Sequence, residues 1–258
     1  MTRYETFDTH ALAAKALVLA TDLDGTFLGG TENERATFYN WIQRRRTNIG
    51  LIFVTGRDPD FIHHLVQHEG IPCPDYVVAD VGTTIAHVQP DAKLVPIISL
   101  EKEIARRWNN ANESVRVALR RIDGLTLQPT RFRYRISYDM DAARFDDAAL
   151  RIVADLGLDA VISDNRYFDV LPKGVSKGPS LARLLDFLGI QQSKTLVAGD
   201  TLNDLSMLEL GVPAVAVGGS ESALLARVAS LGHVHCASGI GVAGISEAIA
   251  AHKLYKGK

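Results

Sequence analysis

The chain has 258 residues, enough for one large domain or for a core with a smaller companion. Apolar residues make up 47% and charged residues 22%, the balance of a globular enzyme, and a formal net charge of -2 supplies no field to draw nucleic acid or an anionic membrane. No apolar run approaches a membrane span, Met1 to His10 lacks the basic start and apolar centre of a signal peptide, and Cys73 and Cys236 follow no metal spacing, so the expectation is a cytoplasmic protein with ordinary thiols.

The first strong signal is Leu17 to Ala20, a short apolar run without polar alternation, as in a strand buried on both faces of a parallel sheet. It breaks into Asp22-Leu23-Asp24-Gly25-Thr26, which places two carboxylates where a strand ends and the chain must turn. In open α/β sheets that edge is where ligands bind. Two like charges about 4 Å apart repel by about 4 kcal/mol at an effective dielectric of about 20, and a bound cation or a shared proton would offset the cost. The stretch therefore reads as a metal-dependent catalytic centre.

Glu32 to Arg46 has the apolar spacing of an amphipathic helix, closed by Arg44-Arg45-Arg46, cations that a helix dipole favours in a last turn. Asn48-Ile49-Gly50 turns the chain into Leu51 to Val54, a second apolar strand ending in Thr55-Gly56-Arg57. Strand, helix and parallel strand deliver a second polar terminus to the same edge. Pro59 starts a helix to about Glu69 that carries His63, His64 and His68, read as solvated because no acidic or cysteine partner stands nearby. Tyr76 to Ala79 is a third strand, reaching Asp80-Val81-Gly82-Thr83-Thr84.

From Ile85 to Leu171 the pattern changes to charged helical segments, such as Glu101 to Leu119, and half-buried strands. In Arg131 to Met140 every odd position is polar and every even one apolar, the mark of a sheet with one wet face. A helix follows over about Ala142 to Leu156, then a hairpin through Asp164-Asn165-Arg166. Beyond Pro172 the first pattern resumes. A helix opens at Lys177-Gly178-Pro179 and stops at Gly189, Thr195 to Ala198 ends in Gly199-Asp200-Thr201-Leu202-Asn203-Asp204, and Ala214 to Gly218 continues the sheet. His233 to Cys236 reads as a last short strand with structural histidines, and Gly244 to Leu254 as a closing helix. The expected fold class is α/β, a doubly wound parallel-sheet, Rossmann-like core of residues 1–85 and 172–258, with an inserted smaller α+β cap of residues 86–171.

Asp22-x-Asp24-Gly25-Thr26, Thr55-Gly56-Arg57, Lys177-Gly178 and Gly199-Asp200-x-x-Asn203-Asp204 resemble, in order, the four motifs of the haloacid dehalogenase-like phosphatases. The resemblance implies Mg²⁺-dependent phosphoryl transfer. Asp22 would be the nucleophile that forms an aspartyl-phosphate, and Asp24 the general acid and then general base. Thr55, Gly56, Arg57, Lys177 and Asn203 would bind the phosphorylated substrate. Asp22, the main-chain carbonyl of Asp24, Asp200 and Asp204 would hold the metal or its waters. The place of the insertion resembles the capped sugar-phosphate phosphatases. Ile136-Ser137-Tyr138, Asp169-Val170-Leu171-Pro172 and the Gly82-Thr83-Thr84 turn are similar to sucrose-phosphate phosphatase and its relatives. Where those enzymes are expected to carry a glutamate after the glycine turn, this chain has Thr84, a departure that argues against sucrose phosphate itself.

The basic strand suggests Arg133, Arg135 and Ser137 as contacts for the sugar or its phosphate; the alternative is that they lie solvated on an outer face. The expected partner is a small phosphorylated sugar, with no nucleic acid and no membrane, and the chain a monomer or weak homo-oligomer. A phosphosugar mutase of the same fold and a non-catalytic sugar-phosphate sensor are the competing functions.

Overall fold

The computed structural model describes residues 9–130 and 132–255. The expected unprocessed start over Met1–Asp8 and Arg131, the first residue of the expected basic strand, lie outside the described residues. The chain begins with α1 (Thr9–Ala13), β1 (Leu17–Thr21), α2 (Glu32–Gln43), β2 (Ile49–Val54), α3 (Pro59–His68), β3 (Tyr76–Ala79), β4 (Thr84–Val88) and β5 (Leu94–Pro96). Next come α4 (Ile98–Trp108), α5 (Asn112–Leu119), β6 (Leu125–Leu127), β7 (Ile136–Met140), α6 (Ala148–Asp155), β8 (Leu158–Ser163) and β9 (Tyr167–Pro172). It closes with α7 (Lys177–Leu188), β10 (Thr195–Gly199), α8 (Leu205–Leu208), β11 (Ala214–Gly218), α9 (Ser222–Val228), β12 (Val234–Ile240) and α10 (Val242–Ala251).

The large sheet has eight strands in the order β12-β11-β10-β1-β2-β3-β4-β5, parallel from β12 to β3 and antiparallel at β4 and β5. Both faces are covered, which is why β1 is buried at every position and apolar from Leu17 to Ala20. Val18 and Ala20 pack with Leu181, Leu184 and Leu188 of α7, and Leu17 and Leu19 pack with Phe38 and Ile42 of α2 and Ile245 of α10. Each of these valine, leucine and isoleucine side chains, removed from water, contributes about 1.5–3 kcal/mol. Parallel strands joined by covering helices bring the carboxyl ends of β1, β2 and β10 to one edge. Thr31 and Glu34 start α2 with a reciprocal capping box, and Gly189, left-handed, ends α7.

A second, antiparallel sheet, β6-β7-β9-β8, forms the inserted cap. One of its faces is closed by α4, α5 and α6, with Trp108, Val115 and Val153 packed on Ile136, Phe168 and Val170. The expected boundary at residue 86 falls inside β4: residues 84–96 pair into the large sheet, and the chain leaves it only at α4. That helix bridges the two parts, with Ile104 in the core cluster and Trp108 in the cap cluster. The single helical stretch expected over 101–119 is two helices, because Asn109 and Asn110 take left-handed conformations between them. The helix expected from Ala142 starts at Ala148; Asp141 and Asp146 accept from the Ala143 and Ala148 amides, local turns that compete with helix. The expected ten-residue strand is a strand only from Ile136 to Met140. The last strand runs on to Ile240, beyond the short element expected at 233–236.

Candidate active site

Asp22 follows β1, Asp200 follows β10, and Lys177 opens α7, and the fold brings all three to the same edge. Lys177 is fully buried. Its ammonium donates to Asp22 Oδ1 at 2.8 Å, Asn203 Oδ1 at 2.7 Å and Asp204 Oδ1 at 2.6 Å, which uses all three of its protons. Asp204 Oδ2 accepts from the amides of Asp200 (2.9 Å) and Thr201 (3.1 Å), so this buried carboxylate braces both the lysine and the loop. Asp200 Oδ1 accepts from Thr26 Oγ1 at 2.8 Å, tying the β10 loop to the β1 loop. Gly25 is required between them: its φ is +76°, and a Cβ there would run into Asp200 Oδ2.

Asp22, Asp200 and Asp204 each offer a carboxylate oxygen, all within 4.8 Å of one another. Three carboxylates against one ammonium leave two negative charges uncompensated. Burial is the first cause that raises the Asp22 carboxyl well above its ordinary range, and the charges of Asp204 and Asp200 raise it further against the pull of Lys177. Asp200 is pushed up to about 7, by burial and then by Asp204. For Lys177, burial alone would lower the pKa, but Asp204 and Asp22 outweigh it and hold the ammonium charged. A compact set of oxygen donors short of two positive charges is the chemistry of a site for a hard divalent cation.

The spacing in sequence sets Asp22 against Asp24, and the geometry corrects it. The carboxylates that crowd Asp22 come from Asp200 and Asp204, while the Asp24 side chain turns to Arg57. Arg57 Nε and Nη2 grip its two oxygens at 2.8 and 2.9 Å, a bidentate pair of half-exposed groups, and the guanidinium lies 4.5 Å from the centre of the Phe61 ring. Thr55 is fully buried, and its Oγ1 accepts from the Arg57 amide at 3.1 Å.

Asp22, Asp24, Gly56, Arg57, Lys177, Asp200 and Asn203 form the floor and wall of a cavity of about 480 Å³. The cap supplies the opposite wall with Gln128, Phe132, Arg135, Asp164 and Tyr167. A larger cavity of about 590 Å³ lies between α2 and α10, but it is lined by Phe38, Trp41, Val242 and Ile249 and holds none of the strand-end carboxylates.

The three cap residues expected at the substrate separate. Arg135 lines the cavity. Arg133 instead forms a fork with buried Glu101 (2.9 Å to each oxygen) and reaches Thr84 Oγ1 at 3.2 Å, a bridge from cap to core. Ser137 donates to Asp169 Oδ1, its partner across β7 and β9, and is absent from the cavity lining. Arg133 and Arg135 lie before the strand, drawn to Glu101 and to Asp169 and Asp80, while Ser137 keeps its place in β7 opposite Asp169. Neither solvation on an outer face nor a shared substrate face describes the set.

Glu101, Asp80 and Asp164 were not singled out from sequence. Asp80 had a usable signal, since it follows β3 at the same sheet edge as Asp22 and Asp200. It is buried with a positive φ, and Val81 beside it also has a positive φ (56°), an uncommon strain for a β-branched residue. Of the histidines read as solvated, His64 and His68 are exposed but His63 is half-buried, and His233 and His235 take the structural roles expected of them. His63 Nδ1 meets the Ala92 carbonyl at 2.9 Å, the His64 and His68 rings meet at a tilt with centroids 4.6 Å apart, and His233 and His235 meet the Leu208 carbonyl and Glu247. Among the described residues the acidic triad is the one group with metal-ligand proximity.

Residues 15–253 match the family described as sucrose-6F-phosphate phosphohydrolase. Glucosylglycerol-phosphate synthase of Pseudomonas anguilliseptica is 38% identical over 237 residues, which cover 90% of this chain and 30% of that protein. Mannosylfructose-phosphate phosphatase of Agrobacterium fabrum (strain C58 / ATCC 33970) is 31% identical over 203 residues, 75% of this chain and 79% of that protein. This chain thus spans under a third of the synthase and most of the phosphatase. The crystal structure of sucrose-phosphatase from Synechocystis sp. PCC6803, in complex with sucrose and phosphate, superposes with a TM-score of 0.82 at 24% identity, covering 93% of this chain and 98% of that one. A match along almost the whole length, on a fold that gathers the four motifs at one sheet edge, decides the matter: this chain belongs to the sucrose-6F-phosphate phosphohydrolase family and has the haloacid dehalogenase-like fold.

Proposed function

We propose that this protein hydrolyses the phosphate monoester of a small glycoside, of the glycosyl-glycerol or disaccharide kind, in a Mg²⁺-dependent reaction through a phosphorylated Asp22. The observation that carries the reading is Asp22 itself, a buried carboxylate between the Lys177 ammonium and two further carboxylates, on the floor of a cavity roofed by the cap. In the first step an Asp22 oxygen bonds to phosphorus, the ester P–O bond breaks, and the leaving alkoxide takes the proton of the Asp24 carboxyl. In the second, a water gives a proton to Asp24 and bonds to phosphorus, and phosphate leaves with Asp22 again a carboxylate. Lys177 keeps its charge through both steps and neutralises part of the phosphoryl group.

Asp22, Asp200 and the Asp24 carbonyl would hold Mg²⁺, with Asp204 behind them, and the bound ion would offset negative charge on the phosphoryl oxygens. The electrostatics fit: burial and the charges of Asp204 and Asp200 raise the Asp22 carboxyl, and two added positive charges would favour the ionised form that acts as nucleophile. The substrate class is supported by the names of the relatives, which concern glucosylglycerol phosphate, mannosylfructose phosphate and sucrose phosphate, each a glycoside bearing one phosphate. A cavity of about 480 Å³ suits a molecule of that size.

The test is phosphate release with Mg²⁺ from a panel of these three phosphates and of simple hexose phosphates. The expected result is a kcat/KM for a glycoside phosphate at least about tenfold above that for any hexose phosphate, a preference of about 1.4 kcal/mol. Asp22→Asn should fold normally and lose at least about 10³-fold in kcat. A normal rate from that variant would remove Asp22 as nucleophile.

A further inference from the structure

Arg135 immediately precedes β7, and its side chain leaves the cap to touch the core. It is 5% exposed. Nη2 donates to the Gly56 carbonyl at 2.9 Å and lies 3.6 Å from Asp80 Oδ1, Nη1 donates to Asp169 Oδ1 at 3.0 Å, and the guanidinium sits 3.6 Å from the centre of the Phe132 ring. A planar cation held by four neighbours has one orientation. Its Nη2 contact falls on Gly56, the middle of Thr55-Gly56-Arg57.

The two flanks of that segment are already tied to the strained β3 loop. Val81 N donates to the Thr55 carbonyl at 3.1 Å and Asp80 N to the Arg57 carbonyl at 3.0 Å. The Gly56–Arg57 peptide between them is held from both sides, its N–H by Thr55 Oγ1 of the core and its C=O by Arg135 of the cap. The C=O and N–H of one peptide plane point in opposite directions, so holding the Gly56 carbonyl on Arg135 turns the Arg57 N–H away, toward Thr55 Oγ1. From there the Arg57 side chain delivers its fork to both oxygens of Asp24. Gly56 has room for a Cβ, whose nearest neighbour, Val81 Cγ2, would lie at 3.8 Å, so crowding in this conformation does not require glycine.

We propose that Arg135 is a positioning residue: with the cap on the core it locks the Gly56–Arg57 peptide and, through the fork of Arg57, aims the Asp24 carboxyl at the leaving oxygen. The assignment rests on the phosphatase reading above and replaces a direct role for Arg135 in gripping the sugar. Cap seating and proton delivery are thereby linked by a chain of four residues, Arg135, Gly56, Arg57 and Asp24.

The experiment compares wild type, Arg135→Met and the milder Arg135→Lys on a series of aryl phosphates of falling phenol acidity and on the best sugar phosphate, all with Mg²⁺. Loss of a well-aimed acid matters most for poor leaving groups. Arg135→Met should lose about 10²-fold or more in kcat on the sugar phosphate and the least acidic phenols, and little on the most acidic phenol. The plot of log kcat against leaving-group pKa therefore steepens, with Arg135→Lys between the two. In an Arg57→Ala background, Arg135→Met should add nothing further to the slope. An unchanged slope with a raised KM confined to the sugar phosphate would make Arg135 a substrate contact and overturn the proposal. Equal losses for every leaving group, tracking a fall in Tm, would make the arginine merely structural and overturn it too. A wild type that releases no phosphate overturns the phosphatase reading and the proposal together, whereas an active wild type with unaltered slopes in both variants overturns the proposal alone.

Discussion

Replacing Asp200 by asparagine should stabilise the metal-free protein near neutral pH while ending its activity. Burial, with the Asp204 charge behind it, pushes Asp200 up to about 7, against about 3.9 in an unfolded chain. Between those values the folded protein holds a proton that the unfolded chain has released. The folded state then binds more protons, so stability falls as pH rises, by up to about 1.4 kcal/mol per pH unit, and levels off above about pH 7. From about pH 5 to about pH 7 the wild type should lose about 2–3 kcal/mol that the variant keeps. Asp22 is raised in part by Asp200, so the substitution relieves both groups. Urea unfolding of both proteins in excess chelator, at about pH 5, 6, 7 and 8, measures the difference directly. Saturating Mg²⁺ should reverse the trend in the wild type, because the ionised carboxylates are the ones that take a cation, and should help the variant far less. Parallel stability curves for the two proteins in chelator would refute the account of this site as an uncompensated acidic cluster.

Glu101→Ala removes the carboxylate that accepts from the Ile85 amide and from both forks of Arg133, and should cost about 1–3 kcal/mol by urea unfolding; a change under about 0.5 kcal/mol would show that the pair does not help hold cap to core. Gly25→Ala forces a Cβ against Asp200 at a left-handed φ, and should raise the Mg²⁺ concentration for half-maximal activity by about tenfold or more; an unchanged Mg²⁺ requirement would mean that the loop shifts without disturbing the acidic triad.

Much of the core was legible because its signals are local. An apolar run with no alternation can only be buried on both faces, and a carboxylate or threonine at the end of each such run is delivered to the sheet edge by the right-handed crossover alone. Asp22 and Asp200 were found that way, and Lys177 as the opening residue of a helix. Thr55 was found too, although its hydroxyl turns out to serve the Arg57 amide. The cap was legible only as a change of pattern. Its period-two stretch predicted one wet face for Arg133, Arg135 and Ser137, but a strand's alternation describes the backbone and says nothing of which carboxylate, far along the chain, will draw an arginine out of it.

By itself the amino-acid sequence determined the parallel strands β1, β2, β3, β10 and β11 with the helices α2, α3 and α7, the sheet edge where their polar ends gather and the acidic character of the site, since these follow from burial and turn chemistry within short windows. Tertiary structure alone decided the pairings: Asp22 with Asp200 and Asp204 and not with Asp24, Asp24 with Arg57, Arg133 with Glu101, and Arg135 with Gly56. Each of these joins residues at least 30 positions apart, and the electrostatic energy between two charges depends on their distance in space, which no local pattern of residues records.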